Sequence, residues 1–370
     1  MTIFFDHQTF SLQEFGGISR YFSELINGIN QRTQHSAYLS AHYTNNAYAH
    51  DLQLARRWFF PNTALPKKIP LLYRLNKALS TYDLLTQSYD LIHATYYDPY
   101  FLQFARQRPT VVTFLDMIHE RFSDQFAELS ADRVITSRKR EVAKRASHIV
   151  AISESTKADI VDLFGTDPAK ISVIYLGSSF EVSTTPLSLK TTNTTAPYLL
   201  FVGHRGYYKN FDPFLDAVAP LLKQNGLRVV CAGGGNFSKT ELAHIHALGL
   251  AGLVTQQPIN DQLLRQLYSD AVAFVFPSLY EGFGIPVLEA FSCDCPCLIS
   301  DQSSLPEVGG DAVLYFNPND ADSIRAGVNQ LLSDSTLRLK LIEKGRQRVA
   351  GFSWQRTVVE TTALYEKLVQ

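Results

Sequence analysis

An excess of charge of either sign is what this sequence most clearly lacks. Thirty-four Lys and Arg stand against 35 Asp and Glu, a formal net charge of -1 at pH 7. No global field draws such a chain to nucleic acid, so selectivity for an anion must come from local groups. Cysteine is scarce too: there are four, Cys231, Cys293, Cys295 and Cys297. Three fall where a helix ends and a strand is expected to start, a poor arrangement for metal ligands. A reducing, cytoplasmic compartment fits them better than a disulfide framework. No apolar run approaches the length that spans a membrane. No basic leader precedes Ile3-Phe4-Phe5, so a secretory signal is not expected. Asn193-Thr194-Thr195 is then a chance match to a glycosylation sequon.

What the chain does have is a folded composition, 45 % hydrophobic and 19 % charged, over 370 residues, which is long for one core. It is organised around Phe276 to Ala290. The apolar run Ala271 to Phe276 reads as a buried strand ended by Pro277 and Ser278. Gly282 and Gly284 permit a tight turn, and Pro286 suits the first turn of a helix running on through Glu289. Free N–H groups at such a helix start bind phosphate. Two carboxylates flanking the turn, Glu281 and Glu289, can accept hydrogen bonds from sugar hydroxyls. A nucleotide-sugar satisfies both halves of that description; an ordinary strand-to-helix connection satisfies the geometry equally.

In chain order, Thr2 to Phe5 is a strand with Asp6, His7 and Gln8 at its carboxyl end, where open α/β sheets place ligand groups. Gly16 and Gly17 precede a helix with Ile18, Tyr21, Phe22, Leu25, Ile26 and Ile29 in period, and Arg20 in its first turn opposes the helix dipole. Residues 36 to 43 alternate loosely and read as the next strand. Residues 54 to 79 combine Arg56, Arg57, Lys67, Lys68, Arg74 and Lys77 with Trp58, Phe59, Phe60 and several leucines, and hold no acid. Pro61, Pro66 and Pro70 break any single long helix there. The stretch reads either as an element facing an anionic membrane or as core with solvated charges. The strand Thr110 to Leu115 runs into Asp116, His119 and Glu120, candidates for binding or acid–base work. Arg133 to Ala146 reads as a helix with an exposed basic face.

Glu181 to Pro197, rich in Ser, Thr, Pro and Asn, reads as a connector. The strand Tyr198 to Val202 then ends in Gly203-His204-Arg205, with Lys209 and Asn210 beyond. Arg205 and Lys209 can neutralise a diphosphate, and Asn210 or Asp212 can cap the following helix. A strand at 227–232 ends in three glycines. Residues 255–260 read as a loop, Pro296 to Ser300 as a strand, Leu305 to Val308 as a turn and Ala312 to Phe316 as a last strand. Asp320 reads as a cap, not a metal ligand.

Taken together, Phe15-Gly16-Gly17-Ile18-Ser19-Arg20, Asp116 to Glu120, Gly203-His204-Arg205 with Lys209-Asn210, Glu281-Gly282-Phe283-Gly284 through Glu289, and Phe352-Ser353-Trp354 to Leu368 resemble the retaining glycosyltransferases of family 4. The resemblance covers nearly the whole chain. It departs in the turn at the end of the first domain, where Leu176-Gly177-Ser178-Ser179 stands for an Asn-Gly-Val-Asp type sequence, and donor contacts from that loop are expected to differ. The resemblance implies an α/β chain of the GT-B fold: two Rossmann-like domains facing each other across a cleft, with a C-terminal helix crossing back to the first. The expected division is an acceptor-binding domain at 1–180, a linker at 181–196, a nucleotide-sugar-binding domain at 197–350 and a closing helix at 351–370.

The family's roles carry over as expectations. Arg205 and Lys209 would hold the donor diphosphate. Glu289 would bind the ribose, and Glu281 the transferred sugar or the positive charge developing on it. Gly203, Gly282, Phe283, Gly284 and Ile285 would line the donor. His119 would lie near the anomeric centre, and Gly16, Gly17 and Arg20 near phosphate or acceptor. Neither a metal nor another cofactor is expected. The implied reaction moves a hexose, mannose or a related deoxysugar first, from a GDP-sugar ahead of a UDP-sugar, to a saccharide hydroxyl with retention. The look is that of bacterial surface polysaccharide (O-antigen) enzymes, with an acceptor carried on a lipid diphosphate and a protein that is cytoplasmic or peripheral to the inner membrane face. The alternatives are a UDP-sugar transferase with a soluble acceptor, a non-catalytic GT-B protein that binds glycans or partners, and a nucleotide-sugar epimerase.

Overall fold

The computed structural model describes residues 1–370 except 56, 62, 64, 106, 127–128, 130–132 and 184–196. Arg56, Asn193 and most of the expected connector therefore lie outside the described residues. The chain forms two compact units, Met1–Leu176 with Trp354–Gln370, and Gly177–Ser353.

The first unit is a six-stranded parallel sheet of β1 (Thr2–Phe5), β2 (Ser36–Leu39), β3 (Leu91–Ala94), β4 (Thr110–Phe114), β5 (His148–Ala151) and β6 (Ile171–Val173), ordered β2-β1-β3-β4-β5-β6. The second holds β7 (Tyr198–Val202), β8 (Arg228–Ala232), β9 (Val254–Gln257), β10 (Ala273–Phe276), β11 (Cys297–Ser300) and β12 (Leu314–Phe316), ordered β12-β11-β10-β7-β8-β9. Strands such as β4, β7 and β10 are buried at every residue, as parallel strands covered by helices on both faces must be. The strand order reverses between β1 and β3 in one unit and between β7 and β10 in the other. At such a point neighbouring connections leave to opposite sides and open a crevice at the carboxyl ends of the strands.

The helix Trp354–Val369 returns to the first unit and packs against the helix Gly17–Arg32. Gly28 makes the close approach possible, since a Cβ there would lie 2.5 Å from Val358 Cγ2. Tyr365 hydrogen-bonds the buried His93 under the sheet, and Glu366 pairs with His35 at 2.8 Å.

Four expectations change. Residues 254–257 are an edge strand, not loop, pairing with β8 although three of the four are polar. Lys68–Thr86 is one unbroken helix. Pro70 is its third residue, where the missing N–H had no intrahelical partner to lose. Leu305–Gly309 is a short helix and not a turn. Asn210 occupies the cap position of the helix Phe211–Asn225, but its amide bonds Pro318 O at 2.8 Å instead. Among the described residues no helix is long and apolar enough to cross a membrane.

Candidate active site

The loops leaving β7 and β10 meet at the switch point of the second unit. Gly203, at φ +101°, turns the chain out of β7, and the short 3-10 turn Tyr207–Lys209 is bracketed by Tyr207 and Asn210, both at φ +58°. A left-handed Tyr costs roughly 1–2 kcal/mol, so this loop is held in shape by its neighbours. One of them is the Leu279 N–H, which bonds Tyr208 O at 2.7 Å. The result delivers Lys209 Nζ to Glu281 Oε1 at 2.6 Å, with the Phe276 and Tyr208 rings 5.3 and 5.2 Å from the ammonium.

Glu281 is fixed from a third strand. Its N–H bonds Ser303 Oγ at 2.8 Å, and Ser304 Oγ donates to the carbonyls of Glu281 and Phe283, both at 2.8 Å. Gly284 caps the helix Ile285–Ser292 at φ +116°, with Leu305 packed so closely that a Cβ would lie 3.0 Å from it. Phe283 and Gly282 are buried, and Ile285 is half-buried. Glu289, one turn into the helix and buried, accepts from Tyr268 Oη at 3.1 Å. Ser303, Ser304 and Tyr268 were not singled out in the sequence. The polar Asp301 to Ser304 at the end of β11 was the available signal for the two serines.

Arg205 is placed differently from Lys209. Its guanidinium bonds Glu241 Oε1 at 2.6 Å and the carbonyls of Gly233, Gly235 and Asn236 at 3.3, 3.0 and 3.1 Å. It thereby clamps the glycine loop after β8 onto the loop after β7. Gly234 permits the approach, because a Cβ there would lie 2.2 Å from Gly203 O. Burial raises the Glu241 carboxyl, but the Arg205 guanidinium and the Ser238 N–H outweigh it and hold the group below the usual carboxylate range.

His119, Gly16, Gly17 and Arg20 belong to the other unit. His119 sits in the short helix Ile118–Phe122 after β4, half-buried, its Nδ1 enclosed without a hydrogen-bond partner. The helix rests on Lys139, whose Nζ reaches Asp116 O at 2.9 Å, Asp116 Oδ1 at 3.3 Å and Glu120 Oε2 at 3.0 Å. Lys139 is 1 % exposed, which corrects the reading of its helix as a uniformly solvated basic face. Burial alone would raise Asp116; Lys139, the Ile118 N–H and His119 together hold it low. Gly16 caps the helix Gly17–Arg32, but the Ser19 N–H is already taken by Gln13 Oε1 at 3.2 Å. Gly17 is open, and Arg20 lies over the Tyr48 ring at 5.6 Å. Among the described residues no three His, Cys, Asp or Glu side chains gather as a metal cage, and all four cysteines are buried thiols outside any disulfide.

Residues 15–180 match the sequence profile described as Glycosyltransferase Family 4, and residues 189–348 the one described as Glycosyl transferases group 1. The chain is 29 % identical to the O-antigen chain mannosyltransferase B of Escherichia coli over 80 % of its own length and 83 % of that protein's. It is 31 % identical to the O-antigen chain mannosyltransferase RfbU of Salmonella typhimurium over 51 % of its length and 52 % of that protein's. In fold it is similar to the sucrose-phosphate synthase of Thermosynechococcus elongatus, with a TM-score of 0.78 at 18 % identity, covering 100 % of this chain and 99 % of that one. Two sheets of Rossmann-like order, a charged pair at the switch point of the second and these likenesses agree: the chain belongs to glycosyltransferase family 4 and has the GT-B fold.

Proposed function

We propose that this glycosyltransferase of polysaccharide synthesis moves a mannosyl or related deoxyhexosyl group from a GDP-sugar to a saccharide hydroxyl on a lipid diphosphate, with retention and without a metal. The observation that carries the site is the Lys209–Glu281 pair at the β7/β10 switch point, beside the helix start at Gly284. The names of the E. coli and S. typhimurium relatives support mannose, and mannose supports GDP.

In this reading the bond from the anomeric carbon to the diphosphate oxygen breaks as the acceptor oxygen bonds that carbon on the same face. The acceptor proton passes to the departing phosphate oxygen, leaving a nucleoside diphosphate and a new glycoside. Negative charge grows on the leaving group, and Lys209 answers it more strongly in the transition state than in the ground state. Glu281, released from Lys209, faces the sugar as positive charge develops there. Glu289 accepts from the ribose hydroxyls, and Arg205 holds the loops in register.

The test is a donor screen by binding and turnover with GDP-mannose, GDP-fucose, GDP-rhamnose, UDP-glucose, UDP-galactose and UDP-N-acetylglucosamine, beside Glu289→Ala and with and without EDTA. A GDP-sugar bound and turned over in EDTA, with binding weakened in the variant, is the expected result. Preference for a UDP-sugar overturns the donor assignment. Loss of activity in EDTA that added metal restores overturns the metal-free reading, and no binding to any donor overturns the site.

A further inference from the structure

Trp58 stands half in solvent, 49 % exposed, on a segment that the proposed reaction does not use. It is nevertheless firmly held. The His50 imidazole lies flat against one face of the indole, with ring centroids 3.6 Å apart and planes 8° from parallel. His50 is fixed in turn, since its Nε2 donates to Thr44 O at 3.0 Å. The backbone of Trp58 bridges to Thr44, whose N–H bonds Arg57 O at 3.0 Å. Thr44 is fully buried, and its hydroxyl donates to Phe10 O. With one face backed by His50, the exposed area of the indole is its other face and its edge. Trp58 is a flat platform, ordered before any ligand arrives, and a ligand that stacks on it is spared the cost of ordering the ring.

The short helix Ala47–Asp51 joins this platform to the turn at Gly16 and Gly17. Asn46 caps the helix, its Oδ1 accepting from the Ala49 N–H at 3.1 Å and its Nδ2 donating to Gln13 O at 2.8 Å. The Ala47 N–H bonds Glu14 O at 3.0 Å. Tyr48 meets the Phe15 ring edge-on at 6.3 Å and 87°, and Phe15 is 71 % exposed. His50, two residues further and so about 200° round the helix, backs Trp58 on the other side. Two open aromatic rings therefore stand on either side of one helical turn, and the row begins at the glycines expected to meet the acceptor.

We infer that Trp58 stacks on a sugar ring of a saccharide chain whose reacting end lies at the Gly16–Gly17 turn, gripping it several units back from the reacting hydroxyl. This takes the acceptor to be a saccharide, as in the proposed function. A hexopyranose presents C–H bonds on its faces and hydroxyls round its rim. The faces suit a rigid aromatic ring that is apolar in its body and polar at its tip. The hydroxyls suit Asp51 and Gln53, both exposed just after His50 in the chain. Charge also favours this occupant over an anionic lipid layer. Asp51 would be repelled by such a layer, and the neighbouring cation Arg57 is laid over the Tyr43 ring at 5.7 Å.

The test is a fluorescence titration of the full chain carrying Trp354→Phe, which leaves Trp58 as the one tryptophan. The probes are α-mannobiose, α-mannohexaose, α-maltohexaose and vesicles of phosphatidylcholine with phosphatidylglycerol. A saturable spectral change with α-mannohexaose is expected, at an affinity about tenfold above that for the disaccharide, the worth of one stacked ring. By calorimetry, Trp58→Ala should weaken hexasaccharide binding about tenfold and the ring-retaining Trp58→Phe by less. His50→Ala, which removes the backing and keeps the indole, should also weaken it. Circular dichroism melts confirm that the variants fold. The titration needs neither donor nor turnover, so its failure is distinct from failure of the proposed reaction. No spectral change with either hexasaccharide overturns the inference, as does equal affinity for the disaccharide and the hexasaccharide. A change with vesicles and none with either sugar also overturns it, since that gives the ring to lipid.

Discussion

Lys209 Nζ lies 2.6 Å from Glu281 Oε1, joining the loops that leave β7 and β10 at the point where the sheet order reverses. Each side chain is the other's counter-ion. In the proposed reaction a diphosphate would compete for the lysine and free the carboxylate for the sugar, so donor binding would arm both groups at once. Lys209→Ala is therefore expected to lower kcat by about 100- to 1,000-fold, the scale on which removing one stabilising donor from a transition-state site acts. KM for the acceptor should stay within a few-fold. Initial-rate kinetics over both substrates measure this, and an unchanged kcat would remove Lys209 from the chemistry.

Arg205 should report chiefly on stability. Its side chain is 3 % exposed and its donors are spent on Glu241 and three loop carbonyls. Arg205→Ala is expected to cost about 3 kcal/mol in chemical denaturation, as breaking a buried pair does. Arg205→Lys should recover little, because an ammonium cannot span the carboxylate and the loop together. Glu241 sits below the usual carboxylate range, so its share of stability is present above that range and is lost as the group protonates. The gap between wild type and Arg205→Ala should therefore narrow below about pH 4. A constant gap would show that the clamp owes nothing to the Glu241 charge.

How far the residues alone revealed this arrangement depends on where the information resides. The strand β4, β-branched and buried throughout, and the Gly284–Pro286 turn carry their structure in local chemistry, and both were legible. The edge strand β9 was not. Thr255, Gln256 and Gln257 have only one neighbouring strand and little apolar surface to bury, so their letters look like loop. The basic helix holding Lys139 could not show that Asp116 and Glu120, some 20 residues earlier, lie beneath it. The commitment of Arg205 is to backbone carbonyls, which no residue type advertises. Lys209 and Glu281 were each picked out, but their pairing with one another is a product of topology.

Lys139 can be tested through the group it supports. With Nζ removed in Lys139→Met, Asp116 and the buried Glu120 remain side by side without their cation. A loss of about 3 kcal/mol is expected. The Asp116 carboxyl, held low chiefly by Lys139 against its burial, should titrate at higher pH in an NMR experiment. Adding Glu120→Gln should restore part of the stability by removing one of the two unpaired charges. If Lys139→Met proves as stable as wild type, the helix carrying His119 is held by something else.

The last prediction concerns acid. His93 is fully buried between Thr113, whose Oγ1 lies 2.8 Å from Nε2, and Tyr365 of the returning helix. Burial lowers its pKa to about 3, far below the ordinary value of 6.5. Between those two values the unfolded chain binds a proton that the folded chain refuses, so stability must fall as pH drops through the window and is fully present above it. His7, also lowered to about 3 by burial, adds a term of the same sign. Asp6 contributes in the opposite sense, since burial raises its carboxyl. The contribution of His93 is isolated by a variant. His93→Gln retains a donor and an acceptor but cannot titrate, so its loss of unfolding free energy from pH 7.5 to pH 5 should be smaller than that of wild type by about 2 kcal/mol. Equal losses would mean that the folded protein accommodates a charged His93. The contact that ties the C-terminal helix to the sheet would then be an ion–dipole pair and not a bond between neutral groups.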